Sequence, residues 1–158
     1  MADVRAGAVT LADTGRVVLL DPIGGPIAVA LAEELGERAV LVTQDNIAGN
    51  ELSRTGDLAP ANVRLQQRGA VIERRTIVRA VRPAAVDGSS AEDGALEVEV
   101  EDRFSGVRRA LAAAAVVDCG FRLPDTPLPG VTRRAGDCVA PRTIHEAILE
   151  GRRAAIAL

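Results

Sequence analysis

The first clear pattern in the chain is a run of aliphatic residues, "RVVLLD" (Arg16 to Asp21), unbroken by polar positions and of strand length. A run of this kind is expected of a strand buried on both faces. "PIGGP" follows, then "IAVALAEELGE", whose helical spacing stops at Gly36, then "AVLVT" (Ala39 to Thr43), a second aliphatic strand. Strand, glycine turn, helix and strand make a βαβ unit with a right-handed crossover. The polar stretch "QDNIAGNELSRTGD" has room for a helical turn, and "LAPANVRLQQRG" places Leu58, Val63 and Leu65 at mixed helical spacing before Gly69.

The period then shortens. "AVIER" and "TIVRAVRP" read as strands, the second closed by Pro83, and "AAVDGSSAEDG" has the composition of a flexible loop. "ALEVEVED" alternates aliphatic and acidic residues, as a strand with one wet face does, and "GVRRAL" is its pairing candidate in a small antiparallel meander. In "AAAAVVDCG" the alanines favour helix while Val116 and Val117 favour strand; the abrupt stop at Cys119-Gly120 selects strand. A Pro-rich surface connection, "FRLPDTPLPGV", leads to "PRTIHEAILEGRRAAIAL", which predicts a closing helix with Pro141 in its first turn. Ile144, Ala147, Ile148, Gly151, Ala155 and Leu158 form its expected buried face, with Arg152 and Arg153 toward water. The expected fold is α/β: a Rossmann-like parallel sheet with a small antiparallel meander and a C-terminal helix that packs beside the sheet. Its expected segments are an N-terminal extension (1–15), an α/β domain (16–120) and a closing segment (121–158).

Composition narrows the chemistry. All nineteen basic residues are arginine, so the lysine of a P-loop, a Schiff base or a Ser-Lys pair is missing. There is one histidine, His145, and no G-x-S-x-G elbow to present a serine, which leaves hydrolase readings poor. His145, between Ile144 and Glu146, reads as a boundary residue beside an acidic neighbour. Only Phe104 and Phe121 are aromatic and the formal net charge is -3, which argues against a nucleic-acid partner. Cys119 and Cys138 are too few for a zinc or iron-sulfur site and too far apart for a CxxC motif, and read as small core residues in a reduced compartment. The longest apolar run, "ALAAAAVV", is far short of a membrane span and the N-terminus lacks a signal pattern, so a cytoplasmic location is expected.

Two stretches carry candidate binding residues. "DPIGGPIA" (Asp21 to Ala28) stands where a dinucleotide fold places G-x-G-x-x-G, whose glycines admit a pyrophosphate to the helix amides. Here the three glycine slots fall near Asp21, Ile23 and Pro26, with Gly24 and Gly25 between them. Either this is a tight structural turn, with Asp21 repelling a phosphate, or Gly24 and Gly25 line a weakened nucleotide site. Asp45, one step past the strand end at Thr43-Gln44, is either a ribose ligand or a turn cap. The second stretch is Gly136-Asp137 ahead of the last helix, where a carboxylate following a strand can accept from ribityl hydroxyls and a helix start favours phosphate.

"AGDCVAPRTIHEAILEGRRAA" resembles the C-terminal segment of the NADH:flavin oxidoreductases of the old yellow enzyme, 2,4-dienoyl-CoA reductase and trimethylamine dehydrogenase type. "RVVLLDPIGGPIAVALAEEL" with "AVLVTQDNIAGN" resembles the pyridine-nucleotide-like insert of the same proteins, particularly the mycofactocin-linked branch. The resemblance implies a glutathione-reductase NAD-domain-like sheet over 16–120 and the last part of an FAD- or ADP-binding domain over 121–158. It implies that Gly136 and Asp137 meet FAD or ADP, with Thr143 near the phosphates, and that Gly24 and Gly25 line a crevice for NAD(P)H. It also places FMN and the iron-sulfur cluster on a partner, an FMN-barrel flavoprotein subunit or the remainder of a longer chain, and leaves this chain without a complete active site. In some amine dehydrogenases of the group the insert no longer binds a nucleotide, which keeps open a rival reading: an interaction module with a degenerate crevice.

Overall fold

The computed structural model describes residues 11, 14–84, 96–124, 129–131, 133–141 and 143–157. The expected N-terminal extension and the loop after Pro83 lie almost wholly outside the described residues, as does Leu158. The chain forms two compact units, residues 1–120 and 121–158.

The first unit starts with β1 (Val17–Asp21), α1 (Pro26–Leu35) and β2 (Ala39–Thr43). Pro26 opens α1 at its first position, where the missing N–H costs nothing, and Gly36 closes it with its amide on the Ala32 carbonyl. A 3-10 turn (Asn50–Thr55) leads to α2 (Leu58–Gln67) and β3 (Val71–Glu73). Then come β4 (Thr76–Pro83), β5 (Leu96–Asp102), β6 (Arg108–Ala113) and β7 (Ala115–Asp118). A parallel sheet has the order β3-β2-β1-β7, and β4-β5-β6 form a separate antiparallel sheet. This is the α/β, Rossmann-like architecture, with the meander inserted ahead of β7.

Both faces of β1 and β2 are buried because each meets a different layer. Val17, Leu19 and Leu41 pack with Ala28, Leu31 and Ala32 of α1 and with Leu65 of α2. Val18, Val40 and Val42 pack with Val98 and Val100 of β5 and Ala113 of β6. Period-two alternation thus sends odd positions of β1 to the helices and even ones to the meander. The alanine run divides at Ala114: Ala113 ends a strand of one sheet and Ala115 begins a strand of the other. Small side chains suit that corner, where the backbone passes close to Gly15.

Charge organises the outside. Arg64 of α2 donates to Glu33 of α1 at 3.0 Å and to Asp57 at the start of its own helix at 3.0 Å, tying the two helices. On the wet face of the meander, Glu101 accepts from Arg79 and Arg108, and Glu99 accepts from Arg82 and Arg108. Arg79 stands at an irregularity in the β4-β5 register between Val78 and Ala80. Val63, counted with Leu58 and Leu65 in the helical pattern, is half exposed instead; Ala61 and Leu65 carry the buried side of α2.

The second unit holds a 3-10 turn, Gly136–Cys138, and α3 (Ile144–Ile156), with Thr143 at the N-cap. Pro141 therefore precedes the cap rather than occupying the first turn. The expected buried face of this helix is corrected more seriously: none of its residues is buried, and Ile144, Ile148 and Ile156 are 80%, 68% and 75% exposed. Only the side carrying Ala147, Glu150, Gly151 and Ala154 is partly covered. A unit of this size has too little apolar surface of its own to bury a helix stripe. His145 is exposed as well, not a boundary residue.

Leu41→Ala removes a fully buried side chain from the helix-facing core and is expected to cost about 2–5 kcal/mol. Val63→Ala is expected to stay within about 0.5 kcal/mol, as surface changes do. Urea unfolding of both variants checks the assignment of the two faces of α2 and the sheet; equal losses would contradict it.

Candidate functional site

Open α/β sheets bind ligands beyond the carboxyl ends of their parallel strands. At that edge β1 ends in Asp21, β2 in Thr43 and β7 in Asp118. Asp21 is only 2% exposed. Its Oδ1 accepts the Gly24 amide at 2.9 Å and, at the longer distance of 3.4 Å, the Gly25 amide. Its Oδ2 is buried without a hydrogen-bond partner among the described residues. Burial holds this carboxyl above the usual carboxylate range; the Gly24, Gly25 and Ile23 amides oppose the shift and the nearby Asp45 charge adds to it.

Gly24 adopts a left-handed φ of +72°, and a Cβ there would lie 2.9 Å from Asp45 Oδ2 and 3.2 Å from the Asn50 nitrogen. Its carbonyl accepts the Glu51 amide at 2.9 Å. The need for glycine thus comes from the chain's own loop after β2, which leans over the turn. Asp45 is fixed in that loop: its amide donates to Thr43 Oγ1 at 3.2 Å and its carbonyl accepts the Arg75 amide at 2.9 Å. The structure brings Gly24, Gly25 and Asp45 together, then, around a buried carboxylate.

That arrangement does not fit a pyrophosphate. Helix-start amides attract an anion when they are free and the field is positive. Here two of them already donate to Asp21, and a second carboxylate, Asp45, stands beside the turn. The adjoining crevice is about 210 Å³, lined by Leu20, Asp21, Val42, Gln44, Thr76 and Asp118 among others. Pockets that enclose ligands of drug size or larger start at roughly 300 Å³; this smaller one opens toward β4, and Gly24, Gly25 and Asp45 are not in its lining. Beneath the turn, Cys119 is buried, and burial with the Asp21 charge pushes its thiol up to about 11. An acidified, reactive cysteine is thereby excluded at this position.

In the second unit Gly136 and Asp137 lie in the 3-10 turn, and among the described residues no strand precedes them. The Gly136 amide donates to Glu150 Oε2 at 2.9 Å. A Cβ at Gly136, whose φ is +73°, would meet Ala147 at 3.3 Å, so the glycine permits close approach to α3. Thr143 Oγ1 and Glu146 are hydrogen-bonded to each other, and the Thr143 amide also contributes to holding the Glu146 carboxyl below the usual range. This is one half of the capping box that Thr-x-x-Glu encodes: Glu146 takes the Thr143 amide, while the Thr143 hydroxyl turns to the Glu146 carboxylate instead of accepting a helix amide. Its sequence signal was present in "TIHE", and the role of Glu146 there is the residue assignment that pattern reading passed over. Cys138 is exposed, unlike the core residue expected. Asp137 is exposed too, and its carboxylate remains available as an acceptor.

Among solved structures, histamine dehydrogenase from Rhizobium sp. 4-9 is similar over 99% of this chain and 25% of its own, with a TM-score of 0.80 at 23% identity. The 6-hydroxypseudooxynicotine amine oxidase from Pseudomonas geniculata N1 is similar over 97% of this chain and 23% of its own, with a TM-score of 0.79 at 21% identity. The chain therefore shares its fold with parts of these proteins and spans about a quarter of their length. No protein-family model matches the chain and no curated protein matches it. Among the described residues no helix is long and apolar enough to cross a membrane, and no cluster of side chains could hold a metal ion.

Asp21→Ala is expected to cost about 1–3 kcal/mol, because it leaves the buried Gly24 amide without its acceptor. Because the folded pKa of Asp21 is raised, its contribution is fully present below its unfolded value of 3.8 and is lost as pH rises through the folded one. Asp21→Asn removes that loss. Urea midpoints for wild type and Asp21→Asn should diverge in favour of the variant as pH rises from 4 through the folded pKa, and parallel curves would refute the assignment. Glu99, Glu101 and Asp102 have lowered values and act in the opposite sense, losing stability as pH falls through their folded pKa values. They are common to both proteins and cancel in the comparison.

Proposed function

We propose that this chain is the nicotinamide-nucleotide-domain-like portion of a flavin-dependent oxidoreductase of the NADH:flavin type, and that its first crevice is closed to NAD(P)H. The observation that carries the closure is the Asp21 carboxylate seated on the Gly24 and Gly25 amides. The flavin-enzyme part is supported by the resemblance of the Gly136-Asp137 tail and by the shared fold over 99% of the chain with a dehydrogenase four times its length. FMN and any iron-sulfur cluster belong to a barrel partner or to the remainder of a longer chain. Both solved neighbours are named for work on amines, and an amine is the substrate class proposed for the assembled enzyme.

Within that assembly the chain has two roles. Residues 16–120 act as a folded spacer, in place of an NAD(P)H-delivery domain. Residues 121–158 complete a site for FAD or ADP whose other wall lies on the partner, with Asp137 accepting from a sugar hydroxyl. Gly136 and Thr143 shape the turn and the helix start there rather than offer free amides, since the Glu150 and Glu146 carboxylates already accept them. Bound flavin supplies the redox chemistry; this chain's residues orient it. The mycofactocin-linked branch is the subgroup proposed, and the reaction is proposed to take place in the cytoplasm.

Calorimetric titration of the chain with NADH, NADPH, ADP and FAD is expected to show no binding below millimolar concentrations for the two nicotinamide nucleotides. Micromolar binding of NADH would overturn the closed crevice. In the assembled flavoprotein, Asp137→Ala is expected to weaken flavin retention by about three- to tenfold, the loss of one hydrogen bond. Unchanged flavin content on dialysis would remove Asp137 from the site.

A further inference from the structure

Among the described residues, every buried one lies at or before Cys119, and none lies in residues 121–158. Of the twelve large hydrophobics exposed among the described residues, eight are in this short unit. Its helix sets Ala147 and Glu150 against its own turn. Ile144 and Ile148, four residues apart, stack on an adjacent, exposed side, and the same row continues to Arg152, which separates them from Ile156. Exposed aliphatics scattered singly are ordinary, but neighbouring ones edged by charge mark an interaction surface. The unit as a whole is basic: residues 121–158 carry six arginines against four acids, whereas residues 1–120 carry thirteen against eighteen. Arg152 and Arg153 are exposed on α3 itself.

We infer that the Ile144/Ile148 pair, with Arg152 at its edge, is a docking face, and that its occupant is a polypeptide surface outside residues 1–158 with an aliphatic centre and an acidic rim. Three observations support an outside polypeptide. A unit of this size with no buried residue among those described cannot sustain its helix by its own core. The exposed Arg152, one turn beyond Ile148, selects an acidic counterpart. Both solved chains that share this fold hold about three-quarters of their length beyond the shared part, which supplies such a surface. That the occupant carries flavin rests on the function proposed above, and the test separates the two.

A photo-cross-linking residue placed at Ile148 of the full chain, at natural expression level in its own cell, reads the occupant directly. The same residue at Val63, exposed on α2, is the control. The expected result is an adduct with a peptide outside residues 1–158, at least tenfold above the Val63 control. Ile144→Asp should reduce it at least tenfold while the unfolding transition of residues 1–120 stays in place. An adduct with a second copy of the chain, an adduct with residues 1–120, or a yield equal to the control would overturn the docking face while leaving the flavoprotein reading intact. If the captured polypeptide contains no flavin, the docking face stands and the flavoprotein reading fails.

Discussion

A strand that ends in a buried carboxylate needs donors waiting for it, and hydrogen bonds from the Gly24 and Gly25 amides meet that need at Asp21 Oδ1, while Oδ2 has no partner among the described residues. Unmade, they would leave a carboxylate in an apolar layer, where the cost runs to several kcal/mol, and the protonated form would win. Made, they convert the strand-to-helix turn from an anion receptor into a closed internal contact. The rest of the edge follows. Gly24 must keep its left-handed φ, the loop after β2 must lie over it, and Asp45 is held beside Asp21 by its backbone bonds to Thr43 and Arg75. A fold built to present free amides to a phosphate here spends them on itself.

The second helix start repeats the device with other residues. Thr143 and Glu146 cap α3, and Glu150 takes the Gly136 amide. A single capping bond such as that of Glu146 to the Thr143 amide contributes on the order of 1 kcal/mol at most, less than a buried carboxylate bonded to two amides, and all of these groups are at or near the surface. The two sites therefore differ in how firmly they are shut. At the turn after β1, an incoming phosphate would have to displace a buried charge that has nowhere to go. At α3, a Glu146 side chain can rotate into water and free its amides at small cost. The first turn is therefore the more firmly closed of the two.

Legibility in the sequence followed local periodicity. The strands β1 and β2, the helices α1 and α2 and the meander were written in runs whose period is set by burial, and in the first unit that burial is supplied by neighbours within the unit. The alanine run around Ala114 was harder, because residues with little side chain report neither period; the structure uses them to pass from one sheet to the other. The candidate site was half legible. Asp21 could be named as hostile to a phosphate from its position, but its bonds to Gly24 and Gly25 depend on turn geometry that no spacing states. The buried face expected of α3 failed for a physical reason: amphipathic spacing says that a helix face seeks cover, and cannot say whether the covering surface is encoded nearby.

That failure separates the two units thermodynamically. Residues 1–120 bury two aliphatic layers and close their charges on one another, as in the Arg79, Arg108 and Arg82 contacts to Glu99 and Glu101. Those ion pairs are exposed and worth little singly, so the first unit's stability rests on its core. Residues 121–158 have the reverse balance: a short helix, a well-formed turn and no buried residue among those described. The bond of Glu146 to the Thr143 amide and a few exposed hydrogen bonds cannot offset the ordering of a three-turn helix, which is marginal in water without an apolar face to bury. The tail is shaped before it is stabilised, and the free energy that makes its shape permanent must come from whatever covers Ile144 and Ile148.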